Sequence, residues 1–268
     1  MKLSISNIGW LLEYDEEMYR FLSSIGFHGV EIAPTRIFQD SPYDKLNEAR
    51  RFARTLKETN GLSISSMQSI WYGVTESIFG SDNQRKGLVD YTKKAIDFAV
   101  TIGCSNLVFG CPKNRAVPEN MAPEIYLPIA HEFFNEIGVY AAENSVSISI
   151  EPNPVIYNTN FINTTEEAFA LCEALNNSGI RVNIDLGTMI YYGESSKTLR
   201  DGIRFINHVH VSEPHLVPIE RRALHRELIT ELHDLGYDKF ISIEMCNQSN
   251  IEVIKNTILY VKEIYDEL

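Results

Sequence analysis

With 268 residues, 44% hydrophobic content and a net charge of −12, the chain suits one large domain over 1–268 and ill suits nucleic acid or an anionic membrane. No apolar run approaches the roughly 18 residues of a membrane span, and Met1–Ser6 lacks a signal-peptide core. Cys104, Cys111, Cys172 and Cys246 show no CxxC spacing, so a soluble, reduced, cytoplasmic protein is expected.

Read in order, aliphatic period-2 segments alternate with helical stretches. Strands are predicted at 2–6, 28–32, 62–67, 106–110, 146–151, 181–186, 207–211 and 240–245. Helices are predicted at 15–25, 43–59, 85–102, 121–144, 164–176, 195–205, 219–234 and 249–266. Gly26, Gly61, Gly103, Gly179 and Gly236 each stand between a helix tail and the next strand, where a left-handed residue closes a helix. Capping boxes are read at Thr164-x-x-Glu167 and Ser249-x-x-Glu252. Leu88, Tyr91, Ala95, Phe98 and Ala99 form a helical stripe that is core, not a cofactor box. The longest loops, 69–84 and 111–120, follow strands 3 and 4 and are expected to roof the active-site end. Repeated strand–helix alternation predicts an α/β fold, a single-domain (β/α)8 TIM barrel.

Four consecutive strands end on residues that bind metals. Ser147-Ile148-Ser149-Ile150-Glu151 ends on a carboxylate before Pro152-Asn153-Pro154 stops it. Val182-Asn183-Ile184-Asp185, His208-Val209-His210 and Ile241-Ser242-Ile243-Glu244 repeat the plan, with ends 34, 25 and 34 residues apart, about one strand–helix unit. In each strand the terminal residue shares the small or polar face, and the aliphatics take the other. Helices covering the aliphatic face would leave Glu151, Asp185, His210 and Glu244 converging inside the barrel. Three carboxylates and one imidazole suit a single divalent ion, Mn²⁺, Mg²⁺ or Co²⁺, with Zn²⁺ also able to bind.

Other residues at that end could serve the site or the fold around it. His208, on the face of His210, reads as a packed, hydrogen-bonded imidazole behind the ligand. Glu213 either orients His210 or binds a substrate hydroxyl, unless it is a solvated loop acid. Glu31, ending strand 2, is a site residue or an ion-paired strand-end acid. Arg36, Lys113 and Arg115 run against the overall charge; they clamp a phosphate or carboxylate, or serve loop solubility. Gln68, Trp10 and Asn153 lie at strand ends or in the loops beyond, in reach of substrate hydroxyls.

Gly29-Val30-Glu31-Ile32, Ile150-Glu151-Pro152-Asn153-Pro154, Ile184-Asp185, His208-Val209-His210-Val211-Ser212-Glu213 and Ile243-Glu244 together resemble the xylose isomerase-like TIM barrels, specifically the sugar phosphate isomerase/epimerase group with its ketose 3-epimerases. The resemblance implies that Glu151, Asp185, His210 and Glu244 hold one metal and that Glu151 and Glu244 are the acid–base pair. It implies a small sugar or sugar phosphate as substrate, with a homo-oligomer possible. The chain departs from the epimerases at Thr188, where they carry a histidine, and in Pro214–Ile219, which lacks their arginine. Gln68, Cys111 and Thr188 stand where the endonuclease branch places further histidines, which with the charge sets that branch aside. The expected chemistry is isomerisation or epimerisation through an enediolate, one glutamate removing the proton and the other returning it. The alternatives are a dehydratase of a keto-polyol such as 3-dehydroshikimate or inosose, and a sugar-binding barrel without turnover.

Overall fold

Period-2 alternation sorts each strand's side chains into two environments, and the barrel follows from that sorting. The computed structural model describes residues 1–268, with strands β1 (Lys2–Ser6), β2 (Gly29–Ile32), β3 (Ser63–Met67), β4 (Asn106–Phe109), β5 (Ser147–Ile150), β6 (Ile180–Asp185), β7 (Ile206–Val211) and β8 (Phe240–Ile243). They pair in parallel, in chain order, and β8 closes on β1. This is the expected (β/α)8 TIM barrel. Leu3, Ile5, Val30, Ile148, Ile150, Val182, Ile184, Val209, Ile241 and Ile243 face outward and are fully buried beneath the helices. Each such side chain contributes about 1.5–3 kcal/mol by burial. The inward face is polar instead: Ser4, Ser66, Ser149, Asn183 and Ser242 are equally buried. On the barrel floor Asn106 donates to Ser66 Oγ (2.8 Å) and accepts from Ser149 Oγ (2.5 Å) and Asn207 Nδ2 (2.6 Å), tying four strands together.

The helices are α1 (Asp15–Ser24), α2 (Pro34–Ile37), α3 (Leu46–Asn60), α4 (Asp82–Ile102), α5 (Pro123–Glu143), α6 (Thr165–Leu175), α7 (Leu186–Tyr192), α8 (Leu199–Gly202), α9 (Ala223–Asp234) and α10 (Ile251–Asp266). None is long and apolar enough to cross a membrane. The Thr164–Glu167 capping box forms. The Ser249 box does not: Asn250 caps α10, its side chain accepting from Glu252 N. An unpredicted box, Ser81 with Gln84, starts α4 three residues before the expected position. Gly61 and Gly103 close their helices in the left-handed conformation, as expected. Gly179 does something else. Asn176 takes the left-handed cap of α6, while a Cβ at Gly179 would lie 1.9 Å from the Gly138 carbonyl oxygen of α5. The expected helix 195–205 breaks into α8 between two short 3-10 turns, Ser196–Thr198 and Ile203–Phe205. α7 was not expected; it begins directly after β6 because the Asp185 carboxylate accepts from Thr188 N.

The loops after β3 and β4 are pinned to each other. Asn114 Nδ2 donates to the Val74 and Glu76 carbonyls (3.0 and 2.8 Å), and Ile78 N donates to Asn114 O (2.9 Å). Trp71 anchors the first loop, its indole N–H on Thr92 Oγ1 and its ring against Phe109. Ser69, Cys111 and Pro112, from these loops, line the cavity described next.

Candidate active site

Glu151 follows β5, Asp185 ends β6, His210 lies in β7 and Glu244 follows β8, so parallel strand register sets all four at one end of the barrel. The structure brings them together: one ligand atom from each lies within 4.8 Å of the others, and all are buried. His210 Nδ1 is 2.9 Å from Glu151 Oε1 and 3.1 Å from Glu244 Oε2. Its other nitrogen, Nε2, is 3.0 Å from Glu31 Oε2, and His208 Nε2 is 2.8 Å from the same oxygen. An imidazole that gives its Nε2–H to a carboxylate leaves the Nδ1 lone pair for whatever faces it. Here that is the ring of acids.

Neighbouring strands supply the donors that aim those acids. Glu151 accepts from Asn183 Nδ2 (2.6 Å) and Asn153 Nδ2 (3.0 Å). Asp185 accepts from Thr188 N (2.8 Å), Thr188 Oγ1 (2.7 Å) and Ser212 Oγ. Gly110 leaves Glu151 its place, since a Cβ there would lie 2.7 Å from Glu151 Oε2. A cavity of about 190 Å³ opens above, lined by Glu151, Asp185, Glu244, Asn153, Gln68 and Tyr157 among others.

The electrostatics show too much negative charge in one place. Burial, reinforced by the Glu151 charge, pushes Asp185 up to about 6 against its hydrogen bonds from Ser212 and Thr188. Burial likewise pushes Glu244 up to about 7, against the pull of His210. Glu151 is also buried, but the hydrogen bond and charge of His210 and the Asn153 amide hold it below its usual value. Burial disfavours charge on His210, yet Glu31, Glu244 and Glu151 around it raise its pKa well above the ordinary imidazole value. Buried acids that must share protons are what a divalent cation relieves. The donor set fits one: three carboxylate oxygens and an imidazole nitrogen, already oriented by Asn183, Thr188, Ser212 and Glu31.

The remaining expected residues divide. Gln68 and Asn153 line the cavity, Gln68 donating to Ser6 Oγ and to Glu31 Oε1 (3.3 Å). His208 is buried below His210 and does not reach the cavity. The three-cation clamp does not form. Arg36 is spent on Asp15, Nη2 at 2.7 Å and Nη1 at 3.2 Å, and on the Trp10 carbonyl. Arg115 is 0% exposed and lies behind the site, its Nη2 on Glu151 O (2.7 Å) and Asn153 Oδ1 (2.9 Å). Lys113 is exposed. Trp10 is 1% exposed with its indole N–H on Asp15 Oδ1 (2.8 Å), so it offers no donor to a substrate hydroxyl. Glu213 does not orient His210 and is no solvated loop acid; it is buried in a two-bond pair with Arg222 (2.7 and 2.8 Å). Glu31 takes the orienting place instead. Asn183 and Ser212 were legible as polar residues on or beside the ligand strands, whereas Tyr157 carries no signal in the sequence. Burial and the charges of Asp185, Glu244 and Glu151 raise the pKa of Tyr157, which lines the cavity with them and keeps its proton.

A family model described as a xylose isomerase-like TIM barrel matches residues 19–264. The chain belongs to that family. No curated protein sequence matches it significantly. Among solved structures it is similar to an E. coli 3-keto-D-glucoside 4-epimerase, at 16% identity and TM-score 0.77 over 98% of this chain and 99% of that one. It is similar to a Clostridium cellulolyticum D-psicose 3-epimerase with D-tagatose, at 14% identity and TM-score 0.81 over 100% and 99%. An IolI protein with a zinc atom matches at 16% identity and TM-score 0.74 over 99% of both chains. At these identities the xylose isomerase-like barrel itself is what the likeness carries.

Proposed function

We propose that the protein is a divalent-metal-dependent isomerase or epimerase that moves a proton beside the carbonyl of an uncharged sugar, through an enediolate. One observation carries this: Glu151 and Glu244 come from strands three apart in the ring, reach the same His210 nitrogen at 2.9 and 3.1 Å, and line the same cavity. A divalent ion held by Glu151, Asp185, His210 Nδ1 and Glu244 supplies a Lewis acid for the sugar carbonyl. Glu151, fixed by two amides, and Glu244, which reaches the same His210 nitrogen from the eighth strand, would take and return the proton between them. Return to the opposite face gives an epimer, and return to the neighbouring carbon gives an isomer. The likeness to two sugar epimerases supports the reading.

An uncharged sugar is favoured over a sugar phosphate because the cavity is walled by acids while Arg36 and Arg115 are engaged elsewhere. The test is Glu151→Gln and Glu244→Gln, each loaded with metal. Turnover should fall about 10²–10⁴-fold, the worth of a positioned acid or base. One variant should still exchange the substrate α-proton with deuterated solvent while forming no product, and the other should exchange only the proton of the product. Near-normal turnover in both would leave the carboxylates as ligands and put the proton carrier elsewhere.

A further inference from the structure

Arg115 is a buried charge that proton transfer leaves without a task. The 3-10 turn Pro112–Arg115 after β4 carries it, entered through Cys111 in the left-handed conformation (φ 42°), and its side chain is 0% exposed. A buried guanidinium ordinarily takes a carboxylate in a two-bond fork. Here Nη2 meets only neutral oxygens, Glu151 O at 2.7 Å and Asn153 Oδ1 at 2.9 Å, while Nε and Nη1 are buried without a partner in the protein. Burial lowers its pKa to about 10, against the pull of Cys111 and Glu151, so the group is charged at neutral pH. Replacing a buried charged group by an apolar one of similar volume commonly leaves stability unchanged or raises it. Packing therefore gives no reason for a guanidinium at this position.

Its neighbour Asn153 supplies the reason. The main chain of Asn153 is fixed on both sides, its N–H donating to Ile162 O (3.1 Å) and its carbonyl accepting from Asn163 Nδ2 (2.7 Å). The side-chain amide can still turn either way. With Oδ1 toward Glu151, two acceptors would oppose each other; with Nδ2 there, the amide donates to Glu151 Oε2, as it does at 3.0 Å. A cation on Oδ1 decides between the two and, by polarising the amide, strengthens the bond that its N–H makes. Asn183 Nδ2 holds the other oxygen, Oε1, at 2.6 Å. We propose that Arg115 is a positioning residue acting through Asn153: its charge locks the amide in the orientation that donates to Glu151, and so sets that carboxylate for metal binding and proton transfer. The proposal rests on Glu151 being a metal ligand in the function proposed above.

The test is a double-mutant cycle on the affinity for Mn²⁺ or Zn²⁺, measured by calorimetry on the full chain, with metal-free thermal unfolding of the same samples. Arg115→Met keeps the volume without the charge, and Arg115→Lys keeps the charge. Arg115→Met and Asn153→Leu should each weaken metal binding about tenfold, the lower end of what a partner behind a ligand is worth. The double variant should lose little more than either alone, because both substitutions remove the same contact. Arg115→Lys should recover most of the affinity, and metal-free Arg115→Met should unfold at or above the wild-type Tm. Wild-type affinity in Arg115→Met, or an Arg115→Lys no better than Arg115→Met, overturns the proposal. An additive loss of about a hundredfold in the double variant does so too, since Arg115 would then act independently of Asn153. An Arg115→Met chain that fails to fold, or unfolds well below the wild type, makes the guanidinium a structural group and also overturns it. If the wild-type chain takes up neither metal, the metal-dependent function itself falls, and the proposal with it.

Discussion

Replacing Glu31 with Gln removes the one carboxylate oxygen that two buried imidazoles share, at 2.8 Å from His208 and 3.0 Å from His210. Gln keeps the volume but puts an amide N–H or a neutral oxygen where the charge stood. The Nε2–H of His210 then loses its charged acceptor, the tautomer with a proton on Nδ1 becomes accessible, and that nitrogen turns from a ligand into a donor facing Glu151 and Glu244. Loss of such an outer partner costs 10–100-fold in metal affinity, or about 1.4–2.7 kcal/mol. The same figure is readable in thermal unfolding. At about 2.1 cal/mol/K per residue, 268 residues give an unfolding entropy of about 0.56 kcal/mol/K, so the metal-induced rise in Tm should shrink by about 2–5 °C. The assay is titration of Mn²⁺ or Zn²⁺ followed by calorimetry and by scanning the same samples with and without metal. Any intrinsic loss from the buried substitution appears in the metal-free scan and cancels in the increment. Wild-type affinity and an unchanged increment in Glu31→Gln would refute the argument that Glu31 sets the His210 tautomer.

Three further outcomes are expected. Purified protein should hold about one divalent ion per chain, and Asp185→Asn or His210→Ala should lose most of it; elemental analysis showing wild-type metal content in both variants would remove the quartet as its site. Fructose 6-phosphate should bind no more tightly than fructose, and Lys113→Ala should leave both affinities alone; a preference for the phosphate that vanishes in Lys113→Ala would restore an anion site at the cavity mouth. His225 is buried with Nδ1 3.0 Å from Tyr260 Oη, and burial together with Arg222, opposed by Glu213, depresses it to about 4. Because the folded value lies below the unfolded one of about 6.5, its contribution is complete above that pH and is lost as pH falls through 4, by about 3 kcal/mol. Urea unfolding should therefore show a shallower acid limb in His225→Gln, and identical slopes would exclude His225 as a source of acid sensitivity.

The barrel was legible because each strand carries its own instructions. Ile148 and Ile150 against Ser149, or Ile241 and Ile243 against Ser242, state which face meets helices and which meets the interior, and no distant partner is needed to read it. All eight strands accordingly form within two residues of their expected ends. Features set by long-range partners were not legible. Arg36 and Arg115 look alike in sequence, as loop cations after a strand. Their fates depend on Asp15, 21 residues upstream, and on the Glu151 carbonyl, 36 residues downstream. α7 was hidden for another reason. Gly187 reads as a break, yet a Cβ there would lie 3.0 Å from the Glu213 backbone, so the glycine keeps that approach open while Asp185 serves as ligand candidate and helix cap together.

The inward face carries a further physical consequence. Barrel interiors are ordinarily filled by bulky branched side chains, but here Ser4, Ser66, Ser149, Asn183 and Ser242 occupy that layer. Small polar residues cost the barrel hydrophobic stabilisation at its centre, which the aliphatic outer face must supply. What they provide is a set of donors and the space for the four acids Glu31, Glu151, Asp185 and Glu244, whose burial unaided would cost several kcal/mol each. The two faces of each strand therefore separate two kinds of substitution. Ile148→Val, outside, should lower stability by about 0.5–1.5 kcal/mol and leave metal affinity alone. Asn183→Leu, inside, takes the 2.6 Å donor from Glu151 and should weaken metal binding even where the added apolar volume leaves the unfolding midpoint unchanged. A matched loss of stability and affinity in both variants would mean that the interior layer is packing alone, and that the acids are held by the backbone without its help.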